Sequence, residues 1–315
     1  MAGPKRSLAV DLGGIELPTP VMIASGCGGT GRELSGAVDL HRVGAIVSRT
    51  ITVEPRKGTP TPRVIETPSG IVWSTGLQNP GLDAFVDEEL PRLARGVRVI
   101  VSIGGTSLES FVRLASALRG LPEVGALELY LSEPDEEMGR SILGAREDRL
   151  AEVVGAVARM SSVPVFAKLP SGGPTADLVR AAAHAGATGV TLSSSPPAFA
   201  VDTQRLRPAL GGVTGWLAGP AIRPLTLRAV VETARALPSF PIIASGGIAT
   251  GADAVQALLA GAWAVQVGTA MLVDPAAPVD IARELVRSLK SKGFASPSEL
   301  RGRLRFPDDL PEAAR

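Results

Sequence analysis

Eight short apolar runs recur along the chain, each closing on small or polar residues, and few folds can use such a series. In order they are VMIASG (21–26), AIVSRT (45–50), VIVSIGG (99–105), ALELYLS (126–132), PVFAKLP (164–170), GVTLSSS (189–195), PIIASGG (241–247) and AVQVGTA (264–270). Each is near-continuous rather than alternating, the pattern of parallel strands covered on both faces. Most gaps hold helix-like segments, such as ESFVRLASALRG, LAEVVGAVARM, ADLVRAAAHAGA and GADAVQALLAGA. The last two end in Ala-Gly-Ala, a glycine stop ahead of the next strand. Eight βα units in 315 residues predict an α/β fold, a (β/α)8 TIM barrel with a parallel eight-stranded core. An open doubly wound sheet is the alternative, weakened because no Gly-x-Gly-x-x-Gly turn follows the first run. No composition shift divides the chain, so a single domain over 1–315 is expected. Two connections are long: 51–97, rich in Pro, Thr and Gly at first, and 196–225, which carries LGGVTGWLAGPAIRP. These long loops after strands 2 and 6 are expected to be functional loops or lids.

Composition narrows the function. Hydrophobic residues make up 45% and charged residues 20%, enough for a large buried core. A net charge of +1 argues against binding to nucleic acid or a membrane surface through bulk charge. One cysteine, Cys27, rules out an internal disulfide and an iron–sulfur cluster held by four cysteines of this chain, and fits a reducing cytoplasm. The start, MAGPKRSLAV, has no apolar segment of signal-peptide type, and no stretch is long enough to span a bilayer. His41 and His184 fall in helix-like segments away from the strand ends and read as surface or packing residues. With no other histidine, a Ser-His-Asp triad or a multi-histidine metal site is excluded, and no metal site is expected.

Barrel enzymes place their sites where the strands end. Here those ends read Ser25, Arg49-Thr50, Ser102, Ser132-Glu133, Lys168, Ser193-Ser194-Ser195, Ser245-Gly246-Gly247 and Gly268-Thr269. The seventh and eighth units carry the sharpest signal. SGGIATGADA and GTAMLVDP put glycines where backbone N–H groups can approach a phosphate, and a helix N-terminus adds a favourable dipole. One glycine pair alone could simply make a tight turn; two in register on successive units favour phosphate binding. Lys168 ends an apolar strand and needs a partner there. It faces a flavin edge, a phosphate or a substrate anion, or it forms a structural salt bridge with Glu128 or Glu133. Arg49 is balanced between a ligand role and an ion pair. Cys27, in the turn SGCGGTG, reads as a small turn residue.

The chain resembles the dihydroorotate dehydrogenase family, soluble class 1, nearest the class 1B form that pairs with a separate electron-transfer subunit. PVMIASGCGGTGRE matches the family's opening turn. GAIVSRTITVEPRKGTPTPRVIETPSG and STGLQNPGLDAFVDEELP match its long second connection. LGGVTGWLAGPAIRPLTLR and IIASGGIATGADAVQALLAGAWAVQVGTAMLVDP match its cofactor half. The resemblance implies an FMN-binding barrel that oxidises dihydroorotate to orotate in pyrimidine biosynthesis. By position, FMN contacts fall on Ser25, Arg49, Thr50, Ser102, Lys168, Ser193, Gly219, Gly246, Gly247, Gly268 and Thr269. It also implies a homodimer and an FAD/iron–sulfur partner subunit.

The substrate half departs from the family pattern. Where the family has Leu-Asn-Ile-Ser-Cys-Pro-Asn, this chain has Leu129-Tyr130-Leu131-Ser132-Glu133-Pro134-Asp135. Glu133 stands at the position of the cysteine base, and Tyr130 and Asp135 replace two asparagines. The family's Asn-Ser-Ile-Gly-Leu becomes Trp73-Ser74-Thr75-Gly76-Leu77, and its Asn-Thr pair after strand six becomes Ser194-Ser195. Ser102 replaces an asparagine and Arg49 a lysine. Asparagine offers both a donor and an acceptor, so losing four removes the partners of a pyrimidine ring. Glu133 and Asp135 would repel a carboxylate substrate. Three functions follow: an FMN oxidoreductase diverged to another small-molecule substrate, a true dihydroorotate dehydrogenase with Glu133 or Ser132 as base, or a non-catalytic flavin-binding or scaffold paralogue.

Overall fold

All eight apolar runs form strands, and the strands close on themselves. A computed structural model describes residues 7–29, 31, 33–34, 36–93, 97–133, 142–173 and 175–306. The barrel strands are β1 (Val21–Ile23), β2 (Ile46–Val47), β3 (Val99–Gly104), β4 (Ala126–Tyr130), β5 (Val165–Lys168), β6 (Gly189–Leu192), β7 (Ile242–Ser245) and β8 (Ala264–Val267). Each pairs in parallel with its sequence neighbours, and β8 closes onto β1 through Val265–Val21 and Gln266–Met22. The outer helices are α1 (Leu108–Leu118), α2 (Glu147–Met160), α3 (Thr175–His184), α4 (Arg223–Ala236), α5 (Gly251–Ala260) and α6 (Ala277–Lys292). Gly261 ends α5 in the left-handed conformation at φ +118°, the glycine stop expected from Ala-Gly-Ala.

Side chains alternate along each strand, so every second residue enters the barrel. The lower inward layer is apolar: Met22, Val47, Ile100, Ala126, Phe166, Ile243 and Ala264 pack with Leu12, Ile15 and Leu17. Those last three come from an antiparallel hairpin, Val10–Asp11 with Glu16–Leu17, which plugs the bottom. Two residues further along each strand the inward set turns polar: Ser102, Glu128, Lys168, Thr191 and Gln266, all buried. The outward residues, among them Val101, Leu127, Leu129, Ala167 and Val190, pack in a second core that includes helix residues such as Phe111 and Leu114.

The two long loops meet over the C-terminal mouth of the barrel. Residues of the second connection, Val64–Thr67 and Gly70–Trp73, pair with Gly215–Ala218 and Pro197–Ala198 of the sixth in one antiparallel sheet. Trp73 lies opposite Trp216. A Cβ on Gly70 would stand 2.0 Å from the Ala218 carbonyl oxygen, so glycine is what lets these strands close up.

Candidate active site

A cavity of about 400 Å3 lies at the mouth, a volume typical of small-molecule sites. All the expected cofactor residues line it except Ser102. Ser102 is fully buried one step behind: its hydroxyl meets Thr50 Oγ1 at 2.9 Å, and Thr50 Oγ1 meets Ser25 Oγ at 3.3 Å. Of the expected substrate residues, Trp73, Thr75, Leu77, Tyr130, Ser194 and Ser195 line the cavity. Ser74 and Gly76 are not among the lining residues. The Ser74 carbonyl accepts from the Thr59 hydroxyl, and a Cβ on Gly76 would stand 2.7 Å from the Thr59 nitrogen. Asp135 lies outside the described residues.

One end of the cavity is built from glycine backbone: Gly219, Gly246, Gly247, Gly268 and Thr269. Gly247 has φ +76°, and a Cβ there would sit 2.5 Å from Arg223 Cβ and 2.7 Å from Arg223 N, so no side chain fits. Arg223 is itself fixed by an ion pair with the buried Asp253. Asp253 Oδ2 accepts from Ala249 N at 3.1 Å and Thr250 N at 2.9 Å, which braces the loop after β7. The N-terminus of α5 is less open to a ligand than the sequence suggested. The Gly251 N–H donates to Glu284 Oε2 at 2.6 Å, and the Asp253 N–H to Thr250 Oγ1 at 3.3 Å. Two N–H groups at the start of α5 are thus already engaged within the fold.

The floor of the cavity is polar. Lys168 Nζ donates to Glu128 Oε1 and to Gln266 Oε1, each at 3.2 Å. Glu128 Oε2 accepts from Gln266 Nε2 at 2.6 Å and Thr191 Oγ1 at 2.9 Å. An ammonium carries three donors, and two are met from below. The third remains for a ligand atom in the cavity, which Lys168 lines. The structural pairing with Glu128 and the ligand-facing position are thus both present in one side chain. Gln266 and Thr191 escaped sequence reading, although both fall on the inward stripe at the level of Lys168. On the far wall, Arg49 Nε lies 3.5 Å from Glu89 Oε2, and neither of these buried atoms has a hydrogen-bond partner. Burial pushes the Glu89 carboxyl up, against the pull of Arg49.

Cys27 also lines the cavity. Desolvation pushes its thiol up to about 11, with the Lys168 charge opposing. About one molecule in a thousand carries the thiolate at pH 8 as a result. Iodoacetamide labelling of Cys27, followed by mass spectrometry, is expected to be slow at pH 8 and to quicken about tenfold per pH unit towards 11. Labelling at pH 8 as fast as that of a free thiol would contradict the enclosed position.

The acidic residue at the fourth strand end sits differently. Glu133 is not among the lining residues; its Oε2 accepts from Arg56 at 2.8 Å. Ser132 is almost fully buried, and its hydroxyl donates to Ser194 Oγ at 2.7 Å. Tyr130 points into the cavity from the end of β4 and is 7% exposed. Burial holds its phenol well above the ordinary value; the charge of Glu133 adds to this and a hydrogen bond with Ser132 opposes it.

Comparison with known proteins decides the kinship. The family model described as dihydroorotate dehydrogenase matches residues 7–289. The chain belongs to the dihydroorotate dehydrogenase family. Among similar proteins is the dihydroorotate dehydrogenase B (NAD(+)) catalytic subunit of Geotalea daltonii, 42% identical over 96% of this chain and 99% of the relative. The subunit of the same name from Desulforudis audaxviator is 43% identical over 95% and 97%, and that of Geobacter sulfurreducens 41% over 95% and 99%. Dihydroorotate dehydrogenases are flavin-dependent oxidoreductases of pyrimidine biosynthesis, and the subfamily binds FMN. The site fits that group. A glycine-lined anion end, a cavity of sufficient size and a buried lysine with one donor to spare are what an FMN phosphate and ring require. Among the described residues no group of three or more His, Cys, Asp or Glu could hold a metal ion, and no helix is long and apolar enough to cross a membrane.

Proposed function

We propose that this chain is an FMN-dependent oxidoreductase acting at a carbon–carbon bond of a substrate other than dihydroorotate. One observation carries the reading. Tyr130 projects into the cavity where the family has an asparagine, while Glu133, at the position of the cysteine base, is held away by Arg56. When bound, FMN supplies two-electron hydride chemistry. The chain's own residues do the rest. Gly246, Gly247, Gly268 and Thr269 would hold the phosphate, and the spare Lys168 donor would be offered to the ring. Arg49 would bring a second positive charge to the cavity wall, and the sheet carrying Trp73 lies over the mouth.

The experiment is an anaerobic titration of FMN-loaded protein. The flavin is expected to stay oxidised with dihydroorotate and to bleach with dithionite. Bleaching by dihydroorotate would sink the proposal. It would favour a second reading, dihydroorotate oxidation with Glu133 or Ser132 as base, which the 42% identity to a named catalytic subunit supports. Protein that stays colourless after incubation with FMN would leave the scaffold role. The relatives' name includes NAD(+) and a catalytic subunit, which supports electron exchange with nicotinamide through a separate FAD/iron–sulfur subunit. With a single cysteine, this chain cannot ligate such a cluster by four thiolates. A homodimer working in the cytoplasm completes the proposal.

A further inference from the structure

Tyr130 is the only tyrosine in the chain, and it ends β4 facing the cavity. In the barrel register it lies beside Lys168 of β5 on one side and Gly104 of β3 on the other. Its hydroxyl meets Ser132. The Ser132 hydroxyl donates to Ser194 Oγ at 2.7 Å, and Ser194 lines the cavity again beside Ser195. Tyr130, Ser132 and Ser194 thus neighbour one another at the cavity wall, with the Ser132–Ser194 hydrogen bond as the defined link. Among the described residues, the nearby carboxylates are engaged elsewhere, Glu128 with Lys168, Gln266 and Thr191, and Glu133 with Arg56.

Among the described residues, the wall therefore offers protons and carries no free carboxylate. The Tyr130 phenol and the Cys27 thiol are both held protonated at neutral pH, and the remaining hydroxyls are those of serine and threonine. Taking a proton from a carbon beside a carbonyl needs a base; adding one needs an acid. We propose that Tyr130 is the proton donor in the reduction of a carbon–carbon double bond conjugated to a carbonyl group. This deepens the function proposed above and rests on it. The β carbon gains a hydride from the reduced flavin, so the alkene is reduced and the flavin oxidised. The α carbon gains the proton: the Tyr130 O–H bond breaks and a C–H bond forms. The phenolate left behind has the Lys168 charge as its strand neighbour. It recovers a proton from solvent through Ser194 and Ser132. The flavin is reduced again by a nicotinamide-linked flavoprotein, or by dithionite in the test.

Two measurements test this. FMN-loaded protein is reduced anaerobically with one equivalent of dithionite and mixed with 2-cyclohexenone or with crotonate. The flavin absorbance is expected to return with at least one of them. Tyr130→Phe is expected to slow that return about 100-fold or more, the usual range for a lost general acid, with FMN affinity unchanged. The second readout needs no turnover. With one tyrosine, the ultraviolet phenolate band reports Tyr130 alone. In loaded protein its midpoint is expected well above the ordinary value of about 10. Glu133→Gln is expected to lower it by removing a negative charge, while Lys168, Cys27 and Arg49, which also line the cavity, stay in place. Equal return rates in wild type and Tyr130→Phe would overturn the proposal, as would a midpoint at or below about 7, which would leave the phenol ionised at working pH. Failure of both alkenes with wild type would overturn it too, and would leave the wider reading standing if dihydroorotate also fails to bleach the flavin. Bleaching by dihydroorotate would instead remove the reading on which it rests.

Discussion

Glu128→Leu is expected to lower folding stability by roughly 3–5 kcal/mol, the usual result of removing one partner of a buried ion pair. Glu128 has no solvent exposure. Its two oxygens accept from Lys168, Gln266 and Thr191. Leucine there leaves the Lys168 ammonium with Gln266 as its remaining acceptor in the barrel interior. An unpaired charge in such a place is strongly disfavoured. By contrast, the pair Arg228–Glu232 on α4 is exposed and screened by solvent, so Glu232→Leu should change little. Denaturant unfolding of the FMN-free protein measures both. The double variant Glu128→Leu, Lys168→Met should recover much of the loss, because both charges leave together. It should nevertheless bind FMN weakly, having given up the cation at the cavity floor. A cost below about 1 kcal/mol for Glu128→Leu would mean that the network holds the site without holding the fold.

The barrel was legible because eight apolar runs with parallel-sheet character leave few alternatives. The glycine end was legible for a local reason: SGG and GT follow directly on strands seven and eight, so neighbours in sequence are neighbours in the site. The polar floor was less so. Glu128 and Lys168 could be suspected as partners, but Gln266 and Thr191 stand inside runs that look wholly apolar at the level of composition. Counting every second residue along each run would have put them on the same inward stripe. The mouth sheet was hidden because its strands lie in Pro- and Gly-rich loops and pair across more than a hundred residues, Trp73 with Trp216. The bottom plug carried a short-range signal that went unread, the Gly13-Gly14 turn between Val10–Asp11 and Glu16–Leu17. The capture of Glu133 by Arg56 had none. Sequence placed Glu133 where a base would be, and only the folded second connection shows a guanidinium waiting for it.

That ion pair sets the result expected when the family motif is rebuilt. Glu133→Cys alone should leave dihydroorotate inert, since Tyr130 still occupies the space of an asparagine that would pair with the pyrimidine. Tyr130→Asn alone should fail as well, because no thiol is then present to take the proton. Together they restore a base and one donor–acceptor partner and remove the anion at position 133. Groups that act as one unit respond non-additively, so the gain belongs to the pair. A general base is worth about 10²–10⁴ in rate. The double variant is therefore expected to bleach its flavin with dihydroorotate at least about 100-fold faster than either single variant. Anaerobic stopped-flow absorbance of FMN-loaded protein reads this directly. Adding Trp73→Asn and Ser194→Asn should raise the rate again, because each returns a polar partner whose absence can be worth orders of magnitude. If all four changes together leave the flavin oxidised while dithionite still bleaches it, the reshaping reaches beyond these positions. The sheet over the mouth would then be the next place to look, since it carries Trp73 and lies across the cavity from the changed strand ends.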